Sequence, residues 1–114
     1  MSEAGPAVPN PVNKMLLEAD VIEALRTIYD PEIPVNIYEM GLIYAIEISE
    51  DGVVKIDMTL TAPGCPVAVT LPIEVKEKVA HVRGVADAVV EVVWDPPWTP
   101  DRMSEEAKLE LGWL

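Results

Sequence analysis

The chain reads as a small α+β domain, and three observations carry that reading. One apolar stripe at helical spacing lies near the start. Two stretches of period-two alternation follow, joined by Glu50-Asp51-Gly52, and a second helix and a third strand come after them. The expected order is helix, strand, strand, helix, strand, with the helices on one face of a short mixed sheet. With 114 residues there is chain enough for one core and too little for two.

Residues 1–13 hold Gly5, Pro6, Pro9, Asn10 and Pro11 and show no periodic apolar face, so they are expected to form a disordered leader before a domain at 14–114. Leu17, Val21, Ile22, Leu25, Ile28 and Tyr29 then recur on one side of a helix that Asp30-Pro31 should end. Pro31 to Gly41 is a loop stiffened by prolines. Leu42, Tyr44, Ile46 and Ile48 should share one strand face, and Val54, Ile56, Met58 and Leu60 one face of the next. The opposite face of that second strand, Lys55, Asp57, Thr59 and Thr61, should be partly wet. Pro66 to Val82 mixes two periods. Val67, Leu71, Val75 and Val79 fit a helix bent at Pro72, stopped by Gly84. Val85 to Trp94 is a third strand, ended by Pro96-Pro97. From about 94 an extension follows, in which Ser104 caps a short acidic helix, Glu105 to Leu111.

Charge and cysteine count exclude several functions. Twenty acids against 8 bases leave a net charge of −12, which repels phosphate backbones and excludes sequence-independent nucleic-acid binding. No apolar run approaches the ~20 residues of a membrane span, and the start lacks the order of a secretion signal. A cytoplasmic, reducing compartment without membrane attachment is expected. The single cysteine forms no intrachain disulfide and no four-cysteine cage within one chain. No glycine-rich phosphate loop and no His-Glu-x-x-His is present.

Cys65 is the main chemical candidate. It stands in Thr61-Ala62-Pro63-Gly64-Cys65-Pro66, where a strand gives way to a helix. Pro66 suits a first helical position, which makes Cys65 the cap, where the helix dipole favours a thiolate. A buried small apolar residue is the competing reading. Asp30 and Glu32 flank Pro31 and offer two carboxylates to a metal, a basic group or acid–base work; alone, they read as a turn-maker beside a solvated side chain. His81, the single histidine, falls at the end of the second helix, about four turns from Cys65, which argues against a cysteine–histidine nucleophile. Trp94-Asp95-Pro96-Pro97-Trp98 spends two of three tryptophans on a stiff turn, either to staple the extension or to meet a partner.

Asp30-Pro31-Glu32-Ile33-Pro34-Val35-Asn36-Ile37, Met40-Gly41-Leu42-Ile43-Tyr44 and Thr59-Leu60-Thr61-Ala62-Pro63-Gly64-Cys65-Pro66, in this order, resemble the SufT/PaaD-like family of iron–sulfur assembly factors. The tail from Trp94 to Ser104 resembles the bacterial SufT branch. The resemblance implies an accessory factor in iron–sulfur protein maturation, not an enzyme. It implies partners among the assembly machinery and client apoproteins, and a homodimer. It lays the family's characteristic cysteine on Cys65, its acidic motif on Asp30 and Glu32, and its preceding threonine on Thr61. Iron or an iron–sulfur cluster is then a transient cargo, with no stable site on a monomer, because one thiolate supplies one ligand of several. A thiol-based sulfur-transfer or redox enzyme acting through Cys65 is the alternative, together with a binding module whose cysteine is structural. The oxygenase-accessory PaaD-like branch carries further C-terminal cysteines that this chain lacks.

Overall fold

A helix, a hairpin, a second helix and a third strand follow one another as expected in the computed structural model, which describes residues 11–29, 33–61 and 67–112. Helix α1 spans Pro11–Leu25. It starts ahead of position 14, with a proline in the first turn, where a missing N–H costs nothing. Residues 1–10 of the expected leader lie outside the described residues.

The helix also ends at Leu25, before Tyr29 and without help from Asp30-Pro31. Thr27 and Ile28 donate to the carbonyls three residues back, at 3.1 and 3.2 Å, and the Thr27 hydroxyl donates to the Ala24 carbonyl at 2.6 Å. The chain then leaves the helix so that Tyr29 bridges Asn36, with the Ile37 N–H on the Ile28 carbonyl at 2.9 Å. Periodicity overran the end because Ile28 is fully buried although it lies beyond the helix.

Strands β1 (Ile43–Ile48) and β2 (Val53–Met58) form an antiparallel hairpin, and β3 (Asp87–Val92) lies parallel to β2, giving the mixed order β1-β2-β3. A parallel neighbour requires a crossover, which α2 (Val67–Ala80, with Pro72 inside it) supplies. Ile46 opposes Ile56 and Ile48 opposes Val54, but the register shifts between Ile43 and Ala45, so Ile43, not Tyr44, stands opposite Met58. The bulge corrects the expected alternation: Tyr44 turns to the C-terminal extension, its hydroxyl donating to the Pro96 carbonyl at 2.8 Å.

One core joins Val21, Leu25 and Ile28 of α1 and its exit to Val54, Ile56 and Met58 of β2 and Leu71, Val75 and Val79 of α2. Both helices cover this face of the sheet. Across the sheet, Lys55 meets Asp57 at 4.0 Å and Glu91 at 3.5 Å in half-exposed ion pairs. Thr59 departs from expectation, being fully buried rather than wet.

The extension is part of the fold. Ser104 caps α3 (Glu105–Glu110), accepting from the Ala107 N–H at 3.1 Å, and Met103 and Ala107 enter the core. The Ser104 N–H bonds the Glu39 carbonyl at 2.9 Å. Beside that contact Gly41 holds φ +81, and a Cβ there would run into the Arg102 carbonyl. This close approach is what position 41 requires of glycine.

Candidate functional site

The parallel strands β2 and β3 both finish at one end of the sheet, and the crossover to α2 departs from there. In open sheets this carboxyl end is where crevices form. Here Thr59, Leu60 and Thr61, which continue β2, face Trp94, Pro97 and Trp98, which follow β3, across an open cleft of about 300 Å³. The Val93 N–H on the Met58 carbonyl, at 2.8 Å, carries the parallel ladder to the edge of the cleft.

The two tryptophans divide the roles that the sequence left open. Trp98 is half-buried and its indole N–H donates to the Met40 carbonyl at 2.8 Å, which staples the extension to the core. Trp94 is 45% exposed. On the other wall, the Thr59 hydroxyl has no hydrogen-bond partner among the described residues although the side chain is fully buried. Such a group costs about 1–3 kcal/mol while it stays unpaired.

Of the residues singled out from the sequence, Thr61 is exposed and lines the cleft. Cys65, Asp30 and Glu32 lie outside the described residues. Their points of departure are described: Asp30 follows Tyr29, and the 62–66 link follows Thr61. Three backbone hydrogen bonds connect these points, Ile37 to Ile28 at 2.9 Å, Leu42 to Ile37 at 3.2 Å and Thr59 to Leu42 at 2.8 Å. Among the described residues, no three His, Cys, Asp or Glu side chains gather as a metal site. His81 is exposed, with its Nδ1 donating to the Glu77 carbonyl at 2.7 Å, a local contact at the end of α2.

Sequence reasoning missed Thr59 and Leu60 as cleft residues. The alternation applied to β2 still buries Leu60 but fails on the opposite face at Thr59. At Thr59 the backbone N–H turns to Leu42, and the side chain enters the interior. The Thr-Leu-Thr run just ahead of Ala62-Pro63 was the available sign that the strand ends here.

A family model described as iron–sulfur cluster assembly protein matches residues 18–92. A Porphyromonas gingivalis protein named Fe-S protein maturation auxiliary factor is 50% identical over 97 residues, covering 85% of this chain and 92% of its own. The Fe-S protein maturation auxiliary factor SufT of Staphylococcus aureus is 41% identical, covering 75% of this chain and 97% of its own. A crystal structure of a domain of unknown function from Bacillus anthracis superposes with a TM-score of 0.83 at 36% identity, over 90% of this chain and 98% of that one.

Proposed function

The chain belongs to the iron–sulfur cluster assembly protein family and is an accessory factor in iron–sulfur protein maturation, and from that premise we propose how it acts. It is a non-catalytic helper in which Cys65 offers one thiolate to iron or a cluster in transit. The remaining ligands come from a client, from a second subunit, or from Asp30 and Glu32, because a cluster takes several ligands and one cysteine supplies one. The cargo is therefore held briefly and shared. A cytoplasmic homodimer, working with the assembly machinery and its client apoproteins, completes the reading.

The observation that carries it is the family match over residues 18–92, which takes in both acidic positions, Thr61 and Cys65 within one module. Placing a thiol after a strand and just before α2 also suits it, since the first turn of a helix stabilises negative charge.

Complementation tests the reading. In a strain lacking this protein and limited for iron, the wild-type chain restores the activity of iron–sulfur enzymes, and Cys65→Ser leaves it at the level of the deletion. Full restoration by Cys65→Ser refutes the role of the thiol. Anaerobic reconstitution with iron counting checks the sharing: a stable cluster on a verified monomer rules it out.

A further inference from the structure

Trp94 leaves nearly half its surface in water at the mouth of the cleft, and Trp98 opposes Leu60 with its indole N–H already spent on Met40. The cleft thus offers ring faces and apolar walls. The stretch 94–102 adds Asp95 and Asp101, both exposed, against one base, Arg102, whose guanidinium lies 4.5 Å over the Tyr44 ring, in a chain of net charge −12. A volume of about 300 Å³ is at the small end for ligand sites and suits a side chain or two rather than a large cofactor.

We propose that this cleft docks a short extended segment of a client protein in which an arginine or lysine adjoins a bulky apolar residue. The proposal rests on the maturation role given above and names the chemistry of its partner. The apolar side chain enters between Leu60, Pro97 and the Trp98 ring, while the cation lies over the Trp94 face beside the Asp95 carboxylate. The acidic field favours such a segment over an acidic one and speeds its arrival. Thr61 lines the cleft, and Cys65 stands four positions further along the sequence.

The probe is the peptide Ser-Gly-Arg-Leu-Arg-Gly-Ser, labelled at one end and titrated into the full chain by fluorescence polarisation. Versions with both arginines replaced by glutamate, or the leucine by alanine, run in parallel. Saturable binding below about 1 mM is expected, weakened by salt, lost with the glutamate peptide and reduced with the alanine peptide. Trp94→Ala weakens it about tenfold and Asp95→Asn about threefold, with the fold retained by circular dichroism. Binding that ignores peptide charge, or that survives Trp94→Ala intact, overturns the proposal. So does a homodimer that dissociates on Trp94→Ala and not with peptide, since it assigns the cleft to a second copy. A wild-type chain that restores iron–sulfur enzymes yet binds no peptide overturns the docking site alone. A deletion strain with undiminished iron–sulfur enzymes overturns the role on which it rests.

Discussion

Replacing Gly41 by alanine should unfold the attachment of the C-terminal extension before anything else. Two costs combine. An L-residue held at φ +81 costs about 1–2 kcal/mol. The added Cβ also collides with the Arg102 carbonyl oxygen and would stand 2.7 Å from its carbon and 2.9 Å from the Arg102 Cβ. Two of those three atoms are backbone, so no rotamer change relieves the contact. The turn Pro100–Arg102 must lift, and Met103, 5% exposed and next in the chain, loosens with it. Giving up a buried methionine costs about 1.5–3 kcal/mol. The expected loss is about 2.5–5 kcal/mol, a large share of the ~5–15 kcal/mol that holds a domain together. Urea unfolding followed by tryptophan fluorescence measures it, and the midpoint should fall by about 1 M or more. Gly84→Ala is the comparison, since φ is +96 there and the nearest atom is the flexible Leu17 Cδ1 at 3.3 Å. That variant should lose the backbone term alone. If Gly41→Ala costs no more than Gly84→Ala, the close approach of the extension is refuted.

Three further outcomes follow from the same geometry. Trp98→Phe keeps an aromatic ring but loses part of the half-buried indole and leaves the Met40 carbonyl without its donor, so it should cost at least about 1–2 kcal/mol by thermal or urea unfolding; unchanged stability would show that the hydrogen bond holds nothing. Thr59→Val removes an unpartnered buried hydroxyl at nearly constant shape and should be neutral or stabilising by up to about 1 kcal/mol, and a clear loss would mean that the hydroxyl has a partner. Cys65→Ser should fold as the wild type does, by circular dichroism and unfolding midpoint, while failing in complementation; a variant that fails because it no longer folds removes the thiol from the mechanism.

Elements with a strong local signal were legible in the sequence. The hairpin at Glu50-Asp51-Gly52, the Leu71–Val75–Val79 stripe and the Ser104 cap stand where spacing and turn chemistry put them, and the third strand lies inside its expected Val85–Trp94 span, at Asp87–Val92. The expectations that failed did so at element ends. Ile28 belongs to the apolar pattern of α1 and to the core, but not to the helix, because the pairing of Tyr29 with Asn36 draws the chain away. Tyr44 obeys the alternation of its neighbours in composition and breaks it in space, because a bulge inserts one residue. In both cases the deciding partner is distant in sequence, and periodicity carries no information about it.

The same division holds for function. Sequence alone set the chemistry: one thiol, two acidic positions around Pro31, an acidic field that turns away phosphate backbones, and motifs ordered as in a family of maturation factors. Those follow from residue identity, which folding does not alter. Only the tertiary structure decided that Thr59 is buried without a partner, that Trp98 staples while Trp94 stays in water, and that the two tryptophans face the end of β2 across a cleft. Each of these depends on the parallel placement of β3 beside β2. That placement brings residues some 35 positions apart in the chain to one end of the sheet, a proximity no local pattern encodes.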